Sequence, residues 1–253
     1  MLLREVLAPN PLRTTYMLGD LDPSYFPFTR WYISSETKGV LPQSIAMVYG
    51  GLRLPVLITH GSPQGLDPAL EMAVTDLPGD IFALVERTHE VPLGRHYDVS
   101  GLRSILRMGI KREDFEFSFN GDDEVVVLSH ADTGDLMELY QHYPDNLFEP
   151  FHLEGGIYCG IRKDGKLMSV AGTHVISEEF RVAALGNIVT HQDYRGQGLA
   201  KRCVGVVLSK LFEHVDHVGL NTHMKNEAAQ KTFASLGFEA MQHCLEGVVH
   251  RRT

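Results

Sequence analysis

Gly186-Asn187-Ile188-Val189-Thr190-His191-Gln192-Asp193-Tyr194-Arg195-Gly196-Gln197-Gly198-Leu199-Ala200 is the stretch on which the fold turns. It continues an apolar run from Val182 to Thr190 that reads as a strand. Beyond it Leu199, Cys203, Val207, Leu211 and Val215 recur every four residues, with Val204 and Leu208 beside them. Lys201, Arg202, Ser209 and Glu213 fall on the other side, so the spacing predicts a helix packed on a sheet. A strand thus delivers a glycine-rich turn to a helix start, where the first amides lack intrahelical acceptors and carry the positive end of the macrodipole. That is an anion site. Gly196 and Gly198 remove side chains that would block approach, and Arg195, Lys201 and Arg202 add charge.

Working outward, EVVVLS (Glu124 to Ser129) reads as a strand and DTGDLMELYQHY (Asp132 to Tyr143) as a helix stopped by Pro144. Gly156 to Ile161 and Lys166 to Val175 flank an Asp-Gly turn and make a hairpin. His217 to His223 is the next strand; Asn226 caps EAAQKTFASL, which stops at Gly237 before a last strand from Phe238. The order is β-α-β-β-β-α-β-α-β, a mixed α/β sheet. In the first half, Trp31 to Ser35, Ser44 to Gly51 and Leu52 to Gly61 read as strands, followed by a helix in DPALEMAVTDL and the strand Asp80 to Glu86. Two stretches echo the second half: Ile58 to Leu66 against Val189 to Leu199, and Ser104 to Ile110 against Thr232 to Phe238. A duplicated fold with a worn first copy, residues 1–120, and a working copy, 121–253, is the expectation; chance likeness of two α/β halves is the alternative.

The whole chain is 253 residues, 43% hydrophobic and 22% charged, with a net charge of -9. That composition folds, and its sign opposes a role resting on nucleic-acid phosphates. The segment from His191 to Lys210 nevertheless carries +3. Cys159, Cys203 and Cys244 are too few for a disulfide scaffold or a four-thiolate zinc site, which points to a reducing, cytoplasmic setting. No run of about 18 apolar residues occurs and the N-terminus breaks at Arg4 and Glu5, so neither membrane spanning nor export is expected.

Other phosphate motifs fit less well. A dinucleotide fingerprint needs a third glycine where Lys201 stands, and in GIRKDGKL a P-loop hydroxyl is replaced by Leu167. By contrast, Arg195-x-x-Gly198-x-Ala200 followed by Asn226-x-x-Ala229-x-x-x-Phe233-x-x-x-Gly237-Phe238 resembles the two signatures of the GNAT superfamily of N-acetyltransferases, over about Glu124 to the C-terminus. GNIVTHQDYRGQGLA is especially similar to the branch with glycine acyltransferase-like proteins. The resemblance implies a mostly antiparallel central sheet flanked by helices; with the internal echoes, a second, degenerate α/β domain of the same kind is expected before it. It implies acetyl-CoA or another acyl-CoA as co-substrate: Ile188, Val189 and Thr190 pairing with pantetheine, Arg195, Gly196, Gln197, Gly198, Leu199 and Ala200 holding the pyrophosphate, and Asn221, Asn226 and Phe233 along the other wall of a V-shaped cleft. The implied activity is direct acyl transfer, most simply acetyl, to a primary amine of a small molecule or peptide in a ternary complex.

Phe233 departs from the pattern, since many members have there a tyrosine that protonates the leaving thiolate. The strand from Val182 to Thr190 also lacks the glutamate many relatives use as base. His174 is the first candidate, because neutral imidazole is available at pH 7; Glu178, Glu179 and His191 follow, and Asn187 can orient a water. These departures leave a CoA-binding pseudoenzyme or sensor as the alternative, with a purely structural module behind it. His214, His217 and His223 form no recognisable metal motif, so no metal is expected. In the first half the echo keeps Gly61 and Gly65 but has no arginine, and Pro63 and Pro68 disturb its helix start, so no intact CoA loop is expected there. Trp31, Tyr32 and Tyr49 could shape an amine site. No nucleic-acid or membrane partner is expected, and the oligomeric states left open include a homodimer.

Overall fold

A computed structural model describes residues 2–34, 41–118, 125–143 and 148–252. Ser35, Glu124, Pro144 and the 120/121 boundary lie outside them. The elements in chain order are α1 (Leu2–Leu7), α2 (Thr15–Gly19), β1 (Thr29–Ser34), β2 (Ser44–Tyr49), β3 (Val56–Gly61), α3 (Pro63–Asp76), β4 (Asp80–Glu86), α4 (Glu90–Gly94), β5 (Tyr97–Asp98), β6 (Arg103–Lys111), β7 (Val125–Val127), α5 (Thr133–Tyr140), α6 (His152–Gly155), β8 (Cys159–Lys163), β9 (Lys166–Ser177), β10 (Val182–Thr190), α7 (Leu199–Leu211), β11 (His217–His223), α8 (Glu227–Ala234) and β12 (Glu239–Arg251). They form two compact units, one of Met1–Arg107, Thr222–Lys225 and Met241–Thr253, the other of Met108–Asn221 and Asn226–Ala240.

In the first unit β1, β2 and β3 are antiparallel neighbours, and β3 then pairs parallel with β4 across α3. The C-terminal strand β12 runs antiparallel to β4, from Cys244 opposite Glu86 to His250 opposite Asp80. Helix α3 buries Leu66, Ala69, Leu70 and Ala73 against Ala46, Leu57, Ile81 and Ala83 of the strands. Its start differs from the sequence expectation. Ser62 caps it, accepting from the Gly65 amide at 3.1 Å, and Pro63 occupies the first turn, where a missing N–H costs nothing.

The second unit repeats that order. Strands β7, β8, β9 and β10 are antiparallel neighbours, and β10 pairs parallel with β11 across α7. Asp164 (φ 51°) and Gly165 (φ 81°) make the tight turn between β8 and β9. Helix α7 buries Leu199, Val204, Val207, Leu208 and Leu211, each at most 1% exposed and worth about 1.5–3 kcal/mol on burial. It ends at Leu211, short of the expected Val215, which is buried in the following turn. On α5, Leu136, Leu139 and Tyr140 join a cluster with Leu128, Phe148, Tyr158 and Val170.

The first echo aligns strand ends with helix starts in both units. The second does not: Ser104–Ile110 lies within β6, whereas Thr232–Phe238 runs from α8 into its stop at Gly237 (φ 97°). A strand and a helix end share apolar and glycine positions there without sharing backbone conformation.

Candidate functional site

Pairing of β10 with β11 ends after Val182/His217, Ala183/Val218 and Ala184/Gly219. From Leu185 onward β10 therefore has one edge clear of β11, and here its register against β9 slips twice. Between Ala184/Val175 and Leu185/Thr173 strand β9 carries one extra residue, His174. Between Gly186/Gly172 and Val189/Val170 strand β10 carries one extra residue, within Asn187-Ile188. Bulges of this kind re-aim side chains and interrupt pairing. Both candidate catalytic residues on these strands, His174 and Asn187, thus lie in bulges.

Asn187 is 6% exposed and left-handed (φ 55°), a conformation asparagine tolerates better than most residues. Two tyrosines hold it. The Tyr140 hydroxyl donates to the Asn187 carbonyl at 2.8 Å, and Asn187 Nδ2 donates to the Tyr158 hydroxyl at 2.7 Å. Tyr158, fully buried, donates its own hydroxyl hydrogen bond to the Thr173 carbonyl at 3.2 Å. His174 packs over Gly186, where any Cβ would occupy the imidazole's place. Burial pushes the His174 pKa down while its hydrogen bond with Asn187 opposes the shift. The His152 ring lies 5.9 Å from that of His174, and burial together with the neighbouring imidazole pushes its pKa down to about 4. Its Nδ1 accepts from the Glu149 amide at 2.9 Å, so the neutral ring carries its proton on Nε2. Both imidazoles are uncharged at neutral pH.

Glu179 lies elsewhere. It is exposed in the β9–β10 turn, about five strand steps from Asn187, or roughly 16 Å. Its neighbour Glu178 pairs with His214 at 3.2 Å, and Arg181 with Asp216, so the turn is a surface ion cluster. His191 closes the other end of β10, with its amide on the Met168 carbonyl at 2.8 Å.

Gly196 (φ 75°) and Gly198 (φ 73°) are left-handed, with nothing within 4 Å of the position of a Cβ. Gly198 is the N-cap of the 13-residue α7, so open space adjoins the helix's unpaired amides. Leu199 anchors the turn in the core. Arg195 turns back along the strand: Nε donates to the Thr190 carbonyl at 3.3 Å and a terminal nitrogen to the Tyr143 hydroxyl at 3.1 Å, while Tyr143 itself donates to Thr190 at 2.7 Å. The Thr190 carbonyl is thereby already taken and the Val189 carbonyl accepts from Ser169 Oγ at 3.3 Å, so of the expected strand positions Ile188 and the Val189 amide lie outside these contacts. Asn226 caps α8, accepting from the Ala229 amide at 3.2 Å, and Asn221 ends the second unit's part of β11. Phe233 is 5% exposed, its ring 5.9 Å from Phe238, which makes it core rather than cleft surface.

The sequence reading missed Tyr140, Tyr143, Tyr158 and His152. In the helix read over Asp132 to Tyr143, Leu136, Leu139, Tyr140 and Tyr143 are spaced as one apolar face; that a buried tyrosine hydroxyl needs a partner is the available signal. Burial holds all three cysteines protonated, Cys159 at about 11 and Cys203 at about 12. Among the described residues no group of three or more His, Cys, Asp or Glu is placed to hold a metal, and no helix is long and apolar enough to cross a membrane.

In the first unit the corresponding notch is filled from within. After three parallel pairs β3 and β4 part, and His89, fully buried, lies 2.8 Å from Thr59 Oγ1 through Nδ1 and 3.0 Å from the Gly61 carbonyl through Nε2. Glu86 reaches His60 at 2.7 Å and accepts from the Gly61 amide at 3.4 Å. Trp31 and Tyr32 bond within the same unit, to Thr29 and Asp76.

Residues 125–238 match the family described as Acetyltransferase (GNAT) family. Among curated proteins, N-acetylaspartate synthetase of Xenopus tropicalis is 26% identical over 136 residues, 49% of this chain and 46% of that protein. N-alpha-acetyltransferase 30 of Saccharomyces cerevisiae is 34% identical over 59 residues, 23% of this chain and 34% of that protein. The chain thus spans less than half the length of either. Among solved structures, a putative GNAT acetyltransferase from Novosphingobium aromaticivorans superposes with a TM-score of 0.65 at 17% identity, covering 94% of this chain and 96% of its own. That likeness establishes the fold, a mixed α/β sheet of the GNAT kind flanked by helices.

Proposed function

With residues 125–238 a GNAT acetyltransferase domain as the premise, we propose that the protein transfers an acyl group, most simply acetyl, from acyl-CoA to a primary amine within a ternary complex. The observation that carries this reading is the pair of bulges that sets His174 and Asn187 on the same strand pair whose end delivers the open, left-handed turn at α7. The turn amides from Arg195 to Ala200, with the charge of Lys201 and Arg202, would hold the pyrophosphate. Ile188 and Val189 would pair with pantetheine along the edge that β10 presents beyond Ala184. The neutral amine attacks the thioester carbonyl, and backbone amides at the β10 bulge stabilise the oxyanion. On forming the C–N bond the attacking nitrogen becomes acidic and gives its proton to neutral His174; the C–S bond breaks and CoA leaves as thiolate. With Phe233 in the core, water reprotonates the thiolate, whose ordinary pKa of about 8.5 makes it a tolerable leaving group. The buried, protonated cysteines offer no nucleophile for an acyl-enzyme, which supports direct transfer.

The two units share strand order, helix crossover and a three-pair parallel register, which supports a duplication with a worn first copy. One CoA per chain, a small-molecule or peptide amine acceptor and a cytoplasmic setting complete the reading. Calorimetry with CoA, then thiol release from acetyl-CoA across amino acids, polyamines, aminoglycosides and peptides, tests it. Binding with turnover on one class is expected; CoA binding without turnover on any would leave only a ligand-binding protein.

A further inference from the structure

The β8–β9 hairpin carries three cations with different fates. Arg162 is bound by Asp132 at 2.5 Å and Asp135 at 2.6 Å, and Lys166 by Glu138 at 3.0 Å. Lys163 has no carboxylate within ion-pair distance among the described residues. It stands instead 5.4 Å over the Tyr194 ring and 3.5 Å from the side-chain oxygen of Gln197, the residue between the two left-handed glycines. The tight Asp164-Gly165 turn places it there, 34 residues in sequence from the turn it adjoins.

A flexible lysine beside an anion turn is a point charge in search of a phosphate. The amides of the turn and α7 can serve the pyrophosphate, whereas Arg195 is folded back on Tyr143 and Thr190. Coenzyme A has a second anionic group, the 3′-phosphate, one ribose away from the pyrophosphate and therefore beyond the same set of amides. We propose that Lys163 reads that 3′-phosphate and so distinguishes CoA from dephospho-CoA, an inference that rests on the acyl-CoA reading above. Tyr194 holds the ammonium over the turn, and Gln197 yields its weak contact to the phosphate.

The test is calorimetric titration of the full chain with CoA and with dephospho-CoA at low salt, for the wild type, Lys163→Ala and Lys163→Arg. Loss of one charge-assisted phosphate contact is expected to weaken CoA about tenfold in Lys163→Ala and leave dephospho-CoA within about twofold, with Lys163→Arg close to wild type. Equal weakening of both ligands, or a wild type that binds both alike, overturns the assignment of Lys163 while the acyl-CoA reading stands. A wild type that binds neither overturns both.

Discussion

At the residue scale, the decisive side chains are those that the two bulges turn out of register. Asn187 combines a left-handed backbone with a buried amide, and its hydrogen bonds to Tyr140 and Tyr158 offset that strain. Replacing Tyr158 by Phe leaves Asn187 Nδ2 and the Thr173 carbonyl without this hydroxyl. Chemical denaturation should show a loss of about 1–3 kcal/mol. His174→Gln should lower kcat about 100-fold or more while the Kd for CoA stays within about twofold, read by thiol release beside calorimetry. Full activity in that variant would dispose of His174 as the proton acceptor. Neither tyrosine was legible as a site residue, because Tyr140 fits a helical apolar spacing and Tyr158 a short strand, and only the fold shows what each hydroxyl meets.

At the element scale, the helix starts divide into those that serve the fold and those with room for a ligand. Asn226 caps α8 with its own side chain, and Ser62 does the same for α3. Gly198 caps α7 with no side-chain hydrogen bond, beside open space. Asn226→Ala should therefore cost about 1 kcal/mol of stability, seen as a lower Tm, with CoA affinity unchanged. A large loss of affinity instead would give Asn226 a ligand role. Elements with strong periodicity, β10, β11, α7 and β4, were legible nearly residue by residue, as was the Asp-Gly turn. Helices α1, α2 and α4 were not, being six residues or fewer and too short to show a period.

At the scale of the whole molecule, the two units repeat a topology but not its contents. His89, Glu86 and His60 occupy the notch of the first unit, while the second keeps an open turn. Calorimetry should give one CoA per chain; two equivalent sites would contradict that difference. Two buried groups, one in each unit, respond to pH in opposite directions. In the first, burial raises the Asp20 carboxyl from 3.8 to about 8, so its contribution is complete below about pH 4 and is lost as pH rises through 8. In the second, His152 falls from 6.5 to about 4, so its contribution is present above pH 6.5 and is lost as pH falls through 4. Denaturant titrations from pH 4.5 to 8.5 should show Asp20→Asn flattening the alkaline side and His152→Gln the acid side.

The sequence by itself determined the strand–turn–helix with its glycines and cations, the alternation around it and the absence of any acid on β10, because these follow from local period, backbone freedom and charge. Tertiary structure decided which residues share the candidate site. Two single-residue slips in strand register, invisible to periodicity, bring His174, Asn187, Tyr140 and Tyr158 together from four elements or their connections. Glu179 is exposed in the turn beyond β9 and Phe233 is buried on α8: where a side chain lies is set by its register and packing partners, which can be far away along the chain.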